Sequence, residues 1–386
     1  LSAGLSGKKT VNSFWTRGMC CILLLNVLVS CGNVPNGEEE PDKPVVKHES
    51  FDHDPSKFKE HREQTERFVT RNLYGPYGVH TNFQDSGQAD TVATGHEVLS
   101  ESAGLLMRYY ALTNQRDAFQ AEWELAKRVF ELPSGFSYRY SPKHDKKYAI
   151  NAAVDDLRII RALHEAGNHF DRQEYVEMAD AYGKRFFDFN VKGGKLYDFY
   201  DETYRVTNDF VTLCYIDLST LKQLPVPAKQ KSALIGNMQK ILQNGYLSDS
   251  FPFYETRFQY DTDTYRSEEI RTVESLLTIL ALSEAGLERT ESIAYLKEQV
   301  RKGTLYGQYD RNGTPLNDVQ STAIYAITAM IGSEVQDAEL YEDSIKQMEK
   351  FRVMDGKSPL DGGFGDPVTK TAFSFDNLMA LLAYAH

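Results

Sequence analysis

Cysteine is scarce in this chain: there are four in 386 residues, and three of them (Cys20, Cys21 and Cys31) lie near the N-terminus. Cys214 is alone in the remainder, which excludes a disulfide framework there and any zinc cluster built on thiolates. Long apolar runs are lacking too. The run from Met19 to Val29, with Asn26 inside it, is too short for a bilayer-spanning helix, which needs roughly 20 residues. No phosphate loop, dinucleotide fingerprint or HExxH motif occurs, and the nine histidines are scattered, so nucleotide-dependent and zinc-peptidase chemistry have nothing to rest on. No cofactor and no metal site is expected. Basic charge is also short, 43 Lys and Arg against 55 Asp and Glu. A net charge of −12 makes a poor partner for nucleic acid or a strongly anionic polymer. A neutral or amino-sugar polymer suits such a body better.

What is present begins with an export pattern. Lys8, Lys9 and Arg17 precede the apolar run, and Ser30, Cys31 and Gly32 follow it, the order of a basic, an apolar and a small-residue region in a secretory signal. Leu28-Val29-Ser30-Cys31 resembles a bacterial lipobox. The resemblance implies that Cys31 takes lipid, becomes the mature N-terminus and holds the protein at the extracellular face of the cell membrane. Loss of the three basic residues with the signal moves the net charge to −15. Residues 31–55, rich in Pro, Gly and charge, cannot bury enough apolar surface to offset their ordering entropy and read as a tether. Residues 1–30 are thus expected as signal peptide, 31–55 as tether, and 56–386 as one monomeric domain.

That domain shows apolar residues at three- and four-residue spacing, the helical period. The predicted helices span 56–72, 97–112, 115–131, 151–167, 170–189, 208–221, 227–245, 267–286, 288–302, 317–332, 337–353 and 371–385. Thr94 and Glu97 have the spacing of a capping box, and Gly167, Gly245, Gly286 and Gly303 mark helix ends. Short joins alternate with long ones (132–150, 190–207, 246–266, 354–370). Twelve helices in six hairpins, with one trimmed rim and one bearing loops, predict an all-α fold, an (α/α)6 barrel. An open helical solenoid is the rival, but no repeating signature supports it.

The segment Ser100 to Trp123 carries Ser-Glu at a helix start, followed by Asn114, Phe119 and Trp123, which lie 13, 18 and 22 residues after Glu101. It resembles the acid-bearing segment of glycoside hydrolase family 8, and the register selects Glu101 over Glu97 as the match to the family's general acid. Ser102-Ala103-Gly104 stands where the family has Gly-Gln-x-Tyr-Gly. Ile150 to Leu163 resembles the family's Ala-Thr-Asp-x-Asp-Leu stretch. Its second aspartate falls on Asp156 and its first on Val154, with Asp155 one position away; the resemblance implies that Asp155 or Asp156 holds the sugar at the point of cleavage. The family carries its base in a Tyr-Asp-x-x-Arg context. Tyr260-Asp261 matches the dipeptide, whereas Glu268 matches the spacing to Arg271. Asp261 is the expected base, with Asp263 and Glu268 behind it.

The chemistry asks for such groups. A glycosidic oxygen leaves poorly unless a carboxylic acid protonates it, and an inverting enzyme needs a second carboxylate to activate water on the opposite sugar face. Clustered aromatics in the long joins, Tyr138, Tyr140, Tyr254 and Tyr260 among them, offer flat faces for sugars, and Arg139 and Arg257 offer donors to hydroxyls. The reading is a lipid-anchored extracellular hydrolase acting on a polysaccharide, in particular an exopolysaccharide or biofilm polymer, by an inverting and endo-acting mechanism. A non-catalytic glycan-binding lipoprotein on the same barrel is the alternative, motivated by Val154.

Overall fold

The computed structural model describes residues 57–86 and 92–386; the expected signal, tether and Cys31 lie outside the described residues. Twelve α-helices account for about half of the described chain: α1 (Lys59–Phe68), α2 (Ser100–Leu112), α3 (Arg116–Phe130), α4 (Ala153–His169), α5 (Gln173–Asn190), α6 (Leu218–Gln223), α7 (Ala228–Asn244), α8 (Thr272–Glu284), α9 (Thr290–Lys302), α10 (Thr322–Glu334), α11 (Ala338–Met348) and α12 (Ser374–Ala385).

Their burial sorts them into two layers. In α10 every residue from Thr322 to Gly332 is buried, and α2, α8 and α12 are nearly as enclosed, as expected of helices that are apolar around most of their circumference. By contrast, α9 buries only Ser292, Leu296 and Val300, one residue per turn, with charge on the other faces. The enclosed helices pack side by side in the order α2, α4, α6, α8, α10, α12, and α12 packs back against α2. The ring is closed, giving the (α/α)6 barrel. Outside it, α3, α5, α7 and α11 lie against α2, α4, α6 and α10, while α1 covers α12. The sixth pair therefore joins the first and last described helices.

Every inner helix but the short α6 starts at one rim; α6 begins deeper, at Asp217 beside Arg161. The long joins that lead into those starts carry short antiparallel strands, such as Val98–Leu99 paired with Arg139–Ser141 and Phe210–Thr212 paired with Arg257–Gln259. Short turns serve the other rim. The 208–221 helix differs from expectation. Phe210–Thr212 is a strand edge-paired with Arg257–Gln259, Leu213–Tyr215 is a 3-10 turn, and only Leu218–Gln223 is α-helical, started by Asp217 accepting the Thr220 N–H. The ring is thus thin at this stave. Thr94 and Glu97 also differ. Glu97 does reach back to the Thr94 N–H (3.0 Å), but in a turn before the strand; the helix starts at Ser100.

A narrow internal cavity of about 80 Å³ lies beneath the loop-bearing rim, lined by Gly104, Val154, Arg158 and Cys214. Further down, charges close the barrel. Arg108 pairs with Glu165 (3.0 Å), and Arg161 pairs with Glu165 (3.0 Å) and Glu284 (2.6 Å). Burial pushes the Glu284 carboxyl up, but Arg161 and Arg108 outweigh it and hold it at about 2.

Candidate active site

Glu101 is the second residue of α2. The preceding strand pairs Leu99 with Arg139, and the Ser100 N–H bonds to the Tyr138 carbonyl at 3.2 Å, so the helix start is pinned to the rim. Asp155 stands in the first turn of α4, whose start is pinned by the Ala153 N–H on the Asp198 carbonyl (2.7 Å). The two helices approach closely at Gly104, where an added Cβ would lie 3.0 Å from the Arg158 Cβ. This approach brings three side chains together. Arg158 Nη1 donates to Glu101 Oε2 at 3.1 Å and to Asp155 Oδ1 at 2.9 Å, and Ser100 Oγ lies 3.3 Å from Asp155 Oδ2.

Two carboxylates sharing one guanidinium carry one excess negative charge. Burial pushes the Asp155 carboxyl up to about 7; Arg158 pulls against that, and the charge of Glu101 adds to it. Asp155 therefore holds a proton near neutral pH. Glu101 keeps about a quarter of its side chain exposed, whereas Asp155 is nearly enclosed.

Other expected site residues fall elsewhere. Asp156 is wholly buried and faces away from the rim space. It accepts the Phe136 N–H (3.1 Å) and Asn151 Nδ2 (2.7 Å), and Gly135 leaves room for it, since a Cβ there would come within 2.1 Å of Asp156 Oδ2. It braces the 132–136 turn and does not meet a sugar. Arg139, expected to donate to sugar hydroxyls, is buried in a two-point ion pair with Glu97 (2.9 and 2.7 Å). Tyr254 is buried against Tyr246. Tyr140 is enclosed at the rim, donating to Asp145 (2.8 Å), and Tyr260 is half-buried against Tyr197 with its hydroxyl on the Leu196 carbonyl. Tyr138 is half-buried beside Tyr148.

The expected bases separate. Asp261 and Asp263 sit at the exposed tip of the hairpin formed by Arg257–Gln259 and Thr264–Arg266, Asp263 with φ 50°. Neither lines the rim cleft. Glu268 does, together with Arg257, Arg266, Glu269, Arg271 and Glu274, around a space of about 570 Å³. Sequence reading missed Glu274. It occupies the first turn of α8, one of its carboxylate oxygens is buried without a hydrogen-bond partner, and burial raises its pKa against Arg271 and Arg257. Ring order sets α8 directly across from α2. The signal was available: Glu274, like Glu101 and Asp155, is acidic in the first turn of an enclosed helix. Arg158 was legible too, three residues after Asp155 on the same helix face.

For metals, Glu284, Glu334 and His386 form one group of donors within 4.8 Å among the described residues. Arg161 and Arg108 already neutralise Glu284, so a cation there would face two guanidiniums.

A closed ring of six helix pairs with a carboxylate pair at its loop-bearing rim is the architecture of (α/α)6-barrel glycoside hydrolases. No family model matches the chain. An α-amylase from Clostridium perfringens, described as novel, is 30% identical, with 84% of this chain and 97% of that one covered and a TM-score of 0.78. Endoglucanase Cel10 from Klebsiella pneumoniae, a family 8 glycosyl hydrolase, shares the fold at 16% identity, with 84% and 98% covered and a TM-score of 0.57. A Bacillus subtilis protein named as a lipoprotein, YdaJ, is 26% identical over 327 residues, 82% of this chain and 85% of that one. The chain belongs to the same family as the Clostridium perfringens protein and is a remote relative of glycoside hydrolase family 8. No helix among the described residues is long and apolar enough to cross a membrane.

Proposed function

We propose that the protein is a lipid-anchored extracellular glycoside hydrolase that cleaves a polysaccharide with inversion, and that the Glu101–Asp155 pair on Arg158 is its acid. The observation that carries this reading is the shared guanidinium, which keeps two carboxyl groups together at the rim, with Asp155 pushed up to about 7 as a proton store beside Glu101. Glu101, the more exposed member, passes that proton to the glycosidic oxygen as the C1–O bond breaks. Asp155 and Arg158 then hold the resulting carboxylate.

Water attacks C1 from the other face, and a second carboxylate takes its proton. Glu274 fits that task better than Asp261, because it stands on the stave opposite Glu101 and lines the cleft. Packed helices lie about 8–10 Å apart, so opposite staves are separated by about twice that. A glutamate reaching in from each side leaves a gap on the scale of the roughly 6.5–9.5 Å that an inverting pair needs. The lipobox-like Cys31 and the lipoprotein name of the Bacillus subtilis relative support the anchor. They also favour an exopolysaccharide as the polymer, while the Clostridium perfringens relative's name favours an α-glucan backbone.

The test separates the two roles by leaving group. Glu101→Gln should lose activity on a polysaccharide by about 10²–10⁴-fold yet retain it on an aryl glycoside whose phenolate departs unprotonated. Glu274→Gln should lose both. Equal, negligible release of reducing ends by wild type and Glu101→Gln, with binding intact, would leave a glycan-binding protein instead.

A further inference from the structure

We propose that the rim cleft beside α8 is a subsite for an acidic substituent of the polysaccharide, with Arg257 and Arg266 closing on its carboxylate. The inference rests on the reading above and narrows its substrate class.

The two arginines are directly opposite each other in the hairpin register, Arg257 with Arg266. Residues paired in this way project from the same face with Cβ atoms about 4.5–5.5 Å apart, and like charges so placed repel. Proteins ordinarily offset such a pair with a carboxylate. Here neither arginine has an ion pair among the described residues, and both are exposed. Their neighbours in the cleft are treated otherwise: Arg271 is held by Glu269 (3.1 Å), and Arg311 by Glu255, itself fixed by Ser267 (2.6 Å). Glu268 and Glu274 line the same space without an ion pair to either arginine, Arg257 acting on Glu274 only at longer range.

One member is also pre-set. Arg257 lies over the Phe210 ring at 4.8 Å, which limits its rotamers, and the hairpin is fastened by Arg257–Gln259 pairing with Phe210–Thr212. Two arginines rooted opposite each other on a fastened strand pair, both lining a cleft of about 570 Å³, offer a carboxylate entering it planar donors from two strands. A uronate, or a pyruvyl or succinyl group on a neutral sugar, supplies it. The net charge of the chain conceals this feature, because recognition follows the local arrangement of charge.

The experiment uses the full chain carrying Glu101→Gln, so that binding is read without turnover. Calorimetric titration compares a glucuronate-containing oligosaccharide with its carboxyl-reduced counterpart. The acidic form should bind at least about tenfold more tightly, equivalent to about 1.4 kcal/mol, and added salt should narrow the difference. Adding Arg257→Gln and Arg266→Gln should bring the two affinities together while leaving Tm unchanged or raised, since a repulsive pair is removed. Equal binding of both forms, binding of neither, or a preference that survives the double substitution would overturn the proposal. If wild type cuts a neutral polymer and gains nothing from acid groups, the hydrolase stands and the subsite falls. If the acidic oligosaccharide binds through the arginines but no polymer is cut, the subsite stands and the hydrolase falls.

Discussion

Arg158 sits between Asp155 and the proposed acid Glu101. Burial of Asp155 and the charge of Glu101 favour the protonated form of Asp155, while Arg158 favours its ionised form. Because the acid must carry a proton, kcat/KM should fall as pH rises through about 7, the value to which Asp155 is pushed. Removing the guanidinium in Arg158→Gln should move that alkaline limb to higher pH, which a pH–rate profile on one polymer reads directly; a limb that stays in place would detach Arg158 from the proton. Asp156 answers to a different measurement. Asp156→Ala leaves the buried Phe136 N–H without its acceptor and takes one of the two acceptors of the Asn151 amide, and should cost about 3 kcal/mol in chemical denaturation. Sequence set Glu101 apart from Glu97, and the buried Glu97–Arg139 pair is the physical reason the two differ. It left Asp155 and Asp156 open. Adjacent residues lie about 100° apart around a helix, so one faces the rim and the other the 132–136 turn, and only the packing of α4 decides which. Arg139 was misjudged because its partner lies 42 positions away.

At the scale of elements, the helices were legible because enclosed and amphipathic segments both keep the helical period over ten or more residues. Strands of two or three residues have no room for a period, and none was expected. The 208–221 segment failed for the same reason: its Phe-Val-Thr-Leu-Cys-Tyr-Ile run is apolar without an exposed face, and pairing with Arg257–Gln259 made it extended. Gly104 shows an element contact acting on chemistry. A side chain there meets Arg158 and Ile159, so Gly104→Val should push α2 from α4, cost about 1–3 kcal/mol as overpacking, and reduce activity beyond what the lost stability explains. Melting curves and turnover on the same preparation check both; activity unchanged in a folded variant would show that the close approach does not serve the acid pair.

For the molecule as a whole, the charged layer that lines the inner cavity ties four of the six staves together through Arg108, Arg161, Glu165, Asp217 and Glu284. Glu284 is depressed in the folded state, so its contribution is present above its usual 4.5 and is lost as pH falls towards about 2. Glu284→Gln leaves two buried guanidiniums short of charge and should cost about 3–5 kcal/mol at pH 7. Melting temperatures of variant and wild type should converge between pH 4.5 and 2; a constant gap would assign the loss to packing. Periodicity cannot reveal this layer, since its members look like ordinary surface charges at the ends of apolar helices.

Among the described residues the ring is sealed by the helix that comes last along the chain. Until residues 374–385 leave the ribosome, α2 and α10 each present an apolar flank with nothing beside it, and α1 has no surface to rest on. Vectorial synthesis therefore delivers five staves before the ring can close. Closure waits on the order in which the chain's own parts arrive.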